Sequence, residues 1–168
     1  NPEVEVVHTI ERLMSVPGAV DVSEFANGRV KLIGVRLDAN TRLANARLME
    51  LPDRIGGPVP LIASIMRDEK LIIPMGNDRL LPGDIVYFIS EEGQMLPTLK
   101  LFNKRAEPVR RVLIIGGGRI GIRLAQRLEK RSIQTKIIEQ NEDRCGELAD
   151  ELNRAVVLCG DGSDQELL

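Results

Sequence analysis

The chain has 168 residues, 43% of them hydrophobic, and a formal net charge of −2, which supplies enough apolar material for one domain or two small ones. Such a balance leaves no basic field to recruit DNA or anionic lipid. The four aromatic residues, Phe25, Tyr87, Phe88 and Phe102, are too few for the stacking platforms of a single-strand nucleic-acid binder.

No run approaches the roughly 18 apolar residues of a membrane-spanning helix, and no signal peptide is visible. Cys145 and Cys159 have no paired spacing and no histidine nearby, so they read as two reduced thiols in apolar positions. Opening on Asn1 rather than Met, the sequence reads as a piece of a longer polypeptide.

In chain order, Val6, Val7, Ile10, Leu13 and Met14 are spaced for a helix over residues 2–14, stopped by "VPGA" at 16–19. "RVKLIGVRL" (29–37) reads as a strand. Leu43, Ala46, Leu48, Leu51 and Ile55 predict a short helix broken by Pro52. Residues 58–74 read as two strands around the polar turn at 67–70, and "LPGDIVYFIS" (81–90) as a turn feeding another strand. "MLPTLKLF" (95–102) closes a small α+β block as a helix. The polar, basic stretch "NKRAEPVRR" (103–111) reads as a solvated linker, with a phosphate or membrane-surface contact as the alternative.

The second block has another rhythm. Val112–Ile115 is a continuous apolar run, expected of a strand buried on both faces. Gly121, Leu124, Ala125 and Leu128 give a helical stripe, and Thr135–Ile138 a second strand. Cys145, Leu148, Ala149 and Leu152 give another helix, with Glu142 and Asp143 near its positive N-terminus. Ala155–Cys159 is a third strand. The β-α-β-α-β order predicts a parallel sheet with right-handed crossovers, a truncated α/β Rossmann half.

Between the first strand and helix lies "GGGRIG", a GxGxxG loop in its strand–turn–helix setting. Gly116 allows the tight turn, Gly118 keeps side-chain bulk away from a pyrophosphate, and Gly121 lets the helix approach the sheet. The helix N-terminus offers its N–H groups to phosphates. Glu139, 18 residues past Gly121, is placed to accept ribose hydroxyls and to disfavour a 2′-phosphate. The alternative is a glycine turn that only packs helix on sheet. Asp161 reads equally as a ribose or adenine contact or as turn chemistry. Arg119 reads as a terminal-phosphate contact or a solvent-exposed side chain. Ser163 and Glu166 have capping-box spacing, predicting a helix from about Asp164.

Together "GGGRIG…IIEQN…GDGSDQELL" and the upstream "RVKLIGVRL", "RLANARLMELP" and "PLIASIMRDEKLIIPMGNDRLLPGDIVYFIS" resemble the RCK, or KTN, family, regulators of potassium conductance. The resemblance implies a helix leaving a preceding N-domain (1–17), an RCK C-domain (18–102), the linker (103–111) and a partial N-domain (112–168). A C-domain ahead of an N-domain implies two RCK units in tandem. It further implies a cytoplasmic homo-oligomer at the inner face of the membrane, bound to a Trk-type potassium transporter. The nucleotide would be NAD(H) or ADP/ATP, held through Gly116, Gly118, Arg119, Ile120, Gly121, Glu139 and Asp161. Because the later N-domain strands are missing, the adenosine–pyrophosphate half is the part expected to bind. The role implied is a non-catalytic sensor, with no catalytic or metal-ligating set. An NAD-dependent oxidoreductase is one competitor, though the single histidine, His8, reads as a surface residue of the first block. A pure oligomerisation scaffold is the other. The three-stranded half-sheet has exposed edges, which predicts pairing of these halves between chains.

Overall fold

Residues 2–104 and 107–164 are described by a computed structural model, in which the chain separates into two compact units. One comprises Asn1–Glu11 with Val109–Leu168, and the other Arg12–Pro108. The first helix, α1 (Pro2–Ser15), carries Glu3 and Glu5 in its first turn and crosses the boundary between the units.

The unit 12–108 is built on a five-stranded antiparallel sheet. Its strands are β1 (Asp21–Phe25), β2 (Val30–Arg36), β3 (Leu61–Arg67), β4 (Lys70–Ile72) and β5 (Ile85–Glu91), in the spatial order β1-β2-β5-β3-β4. Asp68 and Glu69, at the β3–β4 turn, both have positive φ (48° and 61°), the backbone hand that suits a two-residue hairpin. Cross-strand register places Ile33 opposite Phe88, with Val86 opposite both Val35 and Ile65, and all of these are buried. Helix α3 (Glu92–Leu101) adds Leu99 to that layer, followed by Phe102. The Phe102 ring stacks on Phe88 at 5.3 Å between centroids. Truncating either ring to Ala would cost about 3–5 kcal/mol in a core of this kind.

Two expectations change here. Strand β1 was not anticipated. The segment 43–55 is not one helix: it contains a 3-10 turn (Leu48–Glu50) and the five-residue α2 (Leu51–Ile55). Leu43 and Ala46 are buried as their spacing suggested, but the backbone around them bonds across to a distant segment. Asn45 N donates to Leu80 O, Leu80 N to Ala46 O, Leu48 N to Asp78 O and Met49 N to Gly76 O, at 2.7–3.0 Å. Asn45 itself has φ of 61°, incompatible with a continuing helix.

The "RD…LLPGD" motif is structural. Arg67 donates to both carboxylate oxygens of Asp84 at 2.7 Å, and its Nη2 also donates to Arg79 O at 2.8 Å. Leu81 N donates to Asp84 Oδ2 at 2.8 Å, so the buried carboxylate fixes the turn that launches β5.

The other unit contains a three-stranded parallel sheet, β6 (Arg111–Ile115), β7 (Gln134–Glu139) and β8 (Val156–Cys159), in that spatial order. Helices α4 (Arg119–Lys130) and α5 (Glu142–Glu151) make the crossovers. Two right-handed crossovers running the same way put both helices on one face. Leu124, Ala125 and Leu128 of α4 and Leu148 of α5 are buried together with Ile114 and Ile137 of the strands. The opposite face is open, so β6 is not buried on both sides as expected: Leu113 is 39% and Ile115 63% exposed.

Helix α4 and its C-cap residue present Arg119, Arg123, Arg127 and Arg131 at four-residue intervals, and these meet acids of α1. Glu3 pairs with Arg119 and Arg123 at 3.4 and 3.5 Å, and Glu11 with Arg127 and Arg131 at 3.6 and 3.9 Å. His8 therefore belongs with the second sequence block rather than the first. Its imidazole Nε2 lies 3.0 Å from Arg127 Nη2, and its Nδ1 3.5 Å from Glu11.

Candidate nucleotide-binding site

The loop after β6 is defined by what each glycine touches. Gly116 continues the strand ladder, donating to Ile138 O at 2.8 Å, and then turns with φ of 101°, a conformation that favours glycine. A Cβ on Gly121 would overlap the Gly116 carbonyl oxygen, so the helix can approach the turn only with glycine there. Gly118, the N-cap of α4, is different. Its φ of −69° suits any residue, and a Cβ built on it meets nothing within 4 Å. The fold requires glycine at 116 and 121 and leaves space at 118.

Gly117 is held from both sides. Its N–H donates to Glu139 Oε2 at 2.7 Å, and its carbonyl accepts from Arg144 Nε at 2.9 Å. A Cβ at this position would overlap Leu148 Cδ1. Neither Gly117 nor Arg144 stood out in the sequence. The signals were a third consecutive glycine where the motif needs two, and an arginine in the opening turn of α5.

Glu139 ends β7 with its carboxylate folded back on backbone amides. Oε1 accepts from Gln140 N and Asn141 N at 2.9 Å each, in addition to the Gly117 bond on Oε2. The amides of Asn141 and Gly117 hold its pKa below the usual carboxylate range. Asn141 then caps α5, accepting from Arg144 N at 2.9 Å. One short segment therefore supplies an acid to the loop, a helix cap and the Arg144 contact.

After β8, Gly160 N donates to Glu139 O at 2.9 Å. Asp161 Oδ1 accepts from both the N–H and the hydroxyl of Ser163 at 2.8 Å, which keeps its pKa low. Asp161 is thus engaged in turn chemistry. Its turn also lies at the loop, because a Cβ on Gly162 would collide with Ile115 Cγ2 at the end of β6. The capping partner expected at Glu166 lies outside the described residues. Arg119 and Ile120 open α4, whose first-turn N–H groups have no acceptor within a helix. The Arg119 side chain is 86% exposed, yet it is engaged by Glu3 rather than free in solvent. Gly116–Gly121, Glu139 and the 160–163 turn gather at the carboxyl edge of the parallel strands, where open α/β sheets bind ligands.

The cysteines are corrected. Cys145 and Cys159 form a disulfide, with Cα atoms 6.0 Å apart. Their sequence spacing gave no hint, because the pairing depends on α5 lying against β8.

Comparison with known proteins places these features in a family. The TrkA-C domain profile matches residues 32–103, and the TrkA-N domain profile matches residues 112–168. The Trk system potassium uptake protein TrkA of Azorhizobium caulinodans is 35% identical over 100% of this chain and 37% of its own length. Its namesake in Halomonas elongata is 36% identical over 100% of this chain and 36% of its own length. The chain thus spans little more than a third of these relatives. Among solved structures, the GsuK RCK domain superposes with a TM-score of 0.53 at 19% identity, covering 98% of this chain and 34% of that one. A GsuK channel bound to NAD gives 0.52 at 18% identity, covering 98% and 29%. These likenesses establish the RCK fold. With a TrkA-C domain followed by part of a TrkA-N domain, the chain belongs to the TrkA family of RCK proteins.

Proposed function

We propose that this chain is part of a nucleotide-sensing regulatory subunit that gates a Trk-type membrane potassium transporter, and that the nucleotide acts as a ligand rather than a reactant. The observation that carries the reading is Gly118. Neither its φ nor its neighbours require glycine, and its bare Cα leaves open space in which a ligand could seat against the loop. A pyrophosphate at a helix N-terminus is the chemistry such a loop accommodates.

The residues fit an adenosine–pyrophosphate group, from NAD(H) or from ADP or ATP. Gly116, Gly118 and the first-turn amides of Arg119, Ile120 and Gly121 would receive the phosphates. Arg119 would supply a cation to them. Glu139 would accept ribose hydroxyls with the acceptor capacity its backbone bonds leave, and Asp161 would border the adenosine. The potassium uptake named for the TrkA relatives supports the transporter part of this reading, and the NAD bound to a GsuK channel supports the nucleotide part. In the proposed organisation, 1–17 leave a preceding N-domain, 18–102 form the C-domain, 103–111 link, and 112–168 begin the second N-domain. The assembly would be a homo-oligomer at the inner face of the membrane. No helix among the described residues is long and apolar enough to cross a membrane.

Gating requires that the nucleotide bind two arrangements of the subunit with different affinity. Calorimetric titration of ADP, ATP, NAD and NADH into the full-length protein tests the reading, with saturable binding of at least one expected. Absence of binding by all four would favour a scaffold, and sustained NADH oxidation with a carbonyl substrate would favour an oxidoreductase.

A further inference from the structure

We propose that Cys145 and Cys159 are a reversible dithiol–disulfide pair whose oxidation state sets how tightly the adenosine side of the site holds its ligand. The consequence for binding rests on the nucleotide reading above, whereas the pair itself does not.

Cys145, in the first turn of α5, and Cys159, the last residue of β8, each lie beside a segment of the site. Cys145 lies in α5 directly after Arg144, which holds the Gly117 carbonyl, and is 5% exposed. Cys159 ends β8, directly before Gly160 and Asp161, and is exposed. Their Cα separation of 6.0 Å falls within the range a disulfide spans without backbone movement. The position also suits the reduced form. Cys145 Sγ is 3.3 Å from Glu139 O, which puts a carbonyl acceptor next to the position a Cys145 thiol would take after the sulfurs part. That same carbonyl accepts from Gly160 N at 2.9 Å. The two redox forms differ in whether the Glu139–Arg144 segment is covalently tied to the segment carrying Asp161.

The exchange balances with a low-molecular-weight disulfide as oxidant. The exposed Cys159 thiolate attacks one sulfur of that disulfide, breaking its S–S bond and releasing one small thiolate. Cys145 loses its proton, its sulfur attacks Cys159 Sγ, and the second small thiolate leaves. The two cysteine protons end on the two released thiols, and two electrons pass to the oxidant. Closing the pair fixes both segments before the ligand arrives, and less ordering then remains to be done on binding.

The test uses the full-length protein equilibrated in glutathione buffers of graded ratio. Thiols are trapped with a maleimide, located by peptide mass spectrometry, and ADP affinity is measured in parallel. Expected are a Cys145–Cys159 cross-link at oxidising ratios and ADP binding about three- to tenfold tighter in the cross-linked form. Cys159→Ser should keep the affinity of the reduced protein and lose the response, and Cys145→Ser should do the same. Because Cys159 is exposed, its variant tests the idea even if the buried substitution unfolds. Two separately alkylated or glutathionylated cysteines at every ratio would overturn the pair. A cross-link that leaves ADP affinity unchanged would overturn its consequence. Binding of none of ADP, ATP, NAD and NADH by either form would overturn the nucleotide reading and this consequence together, while trapping still decides the pair.

Discussion

The Glu139 carboxylate accepts the Gly117 N–H at 2.7 Å, joining the end of β7 to the loop that follows β6. Backbone amides hold its pKa below the unfolded value of about 4.3. A carboxyl depressed in the folded state contributes stability that is present above that unfolded pKa and lost as pH falls through the folded one. We therefore expect the loop to loosen below about pH 4. The protection of the Gly117 amide from exchange, referred to the intrinsic rate at each pH, should fall across that range in the wild-type protein. In Glu139→Gln the exchange should already be faster at neutral pH, with a flatter acid limb. Equal exchange in the two proteins at pH 7 would contradict the assignment.

The consecutive glycines should separate by what they touch. Gly117→Ala drives a methyl into Leu148, at a cost of about 1–3 kcal/mol, and Gly121→Ala, which meets backbone, should cost at least as much. Gly118→Val should unfold at the wild-type denaturant midpoint yet lose nucleotide binding. Retained affinity in that variant would remove the reason for placing phosphates at the loop.

In the antiparallel unit, the side chain of Asp84 is 1% exposed and that of Arg67 30% exposed. Arg67→Met would strand the carboxylate with the Leu81 amide as its remaining partner. The expected loss is about 3 kcal/mol, at the lower end for a broken buried pair because water reaches the guanidinium. Urea unfolding followed at Tyr87, the only tyrosine, reads it directly. A change below about 0.5 kcal/mol, ordinary for an exposed site, would show the pair to be ornamental.

Glu3 engages Arg119 and Arg123, so a nucleotide phosphate seeking Arg119 would compete with it. An exposed pair of this kind is worth about 0.2–1 kcal/mol. Glu3→Gln should therefore tighten ATP by up to about fivefold and leave adenosine unaffected. The difference should shrink as salt is raised. Equal effects on ATP and adenosine would place the influence of Glu3 elsewhere.

What could be read in advance follows the range of the interactions. The β-α-β-α-β order and the jobs of Gly116 and Gly121 are written within a few residues of one another, in apolar spacing and turn chemistry. Segment 43–50 was misread because its hydrogen bonds go to residues 76–80. Arg144 was overlooked because its target, Gly117, is 27 residues away. The exposure of Leu113 and Ile115 depends on both crossovers choosing the same face, which a run of apolar letters does not encode. The cysteine pair needed α5 set against β8 before it had any meaning.

Gly121 bears against the Gly116 carbonyl with no room for one further carbon. Turn and helix are therefore already in direct contact, with no gap left for a ligand to close. A ligand arriving there has little to rearrange at the point of contact. Most of the work it can do must appear at softer joints, in the exposed Glu3–Arg119 pair or the 160–163 turn. In the proposed sensor, a loop that does not absorb the effect of its ligand would be suited to passing it on.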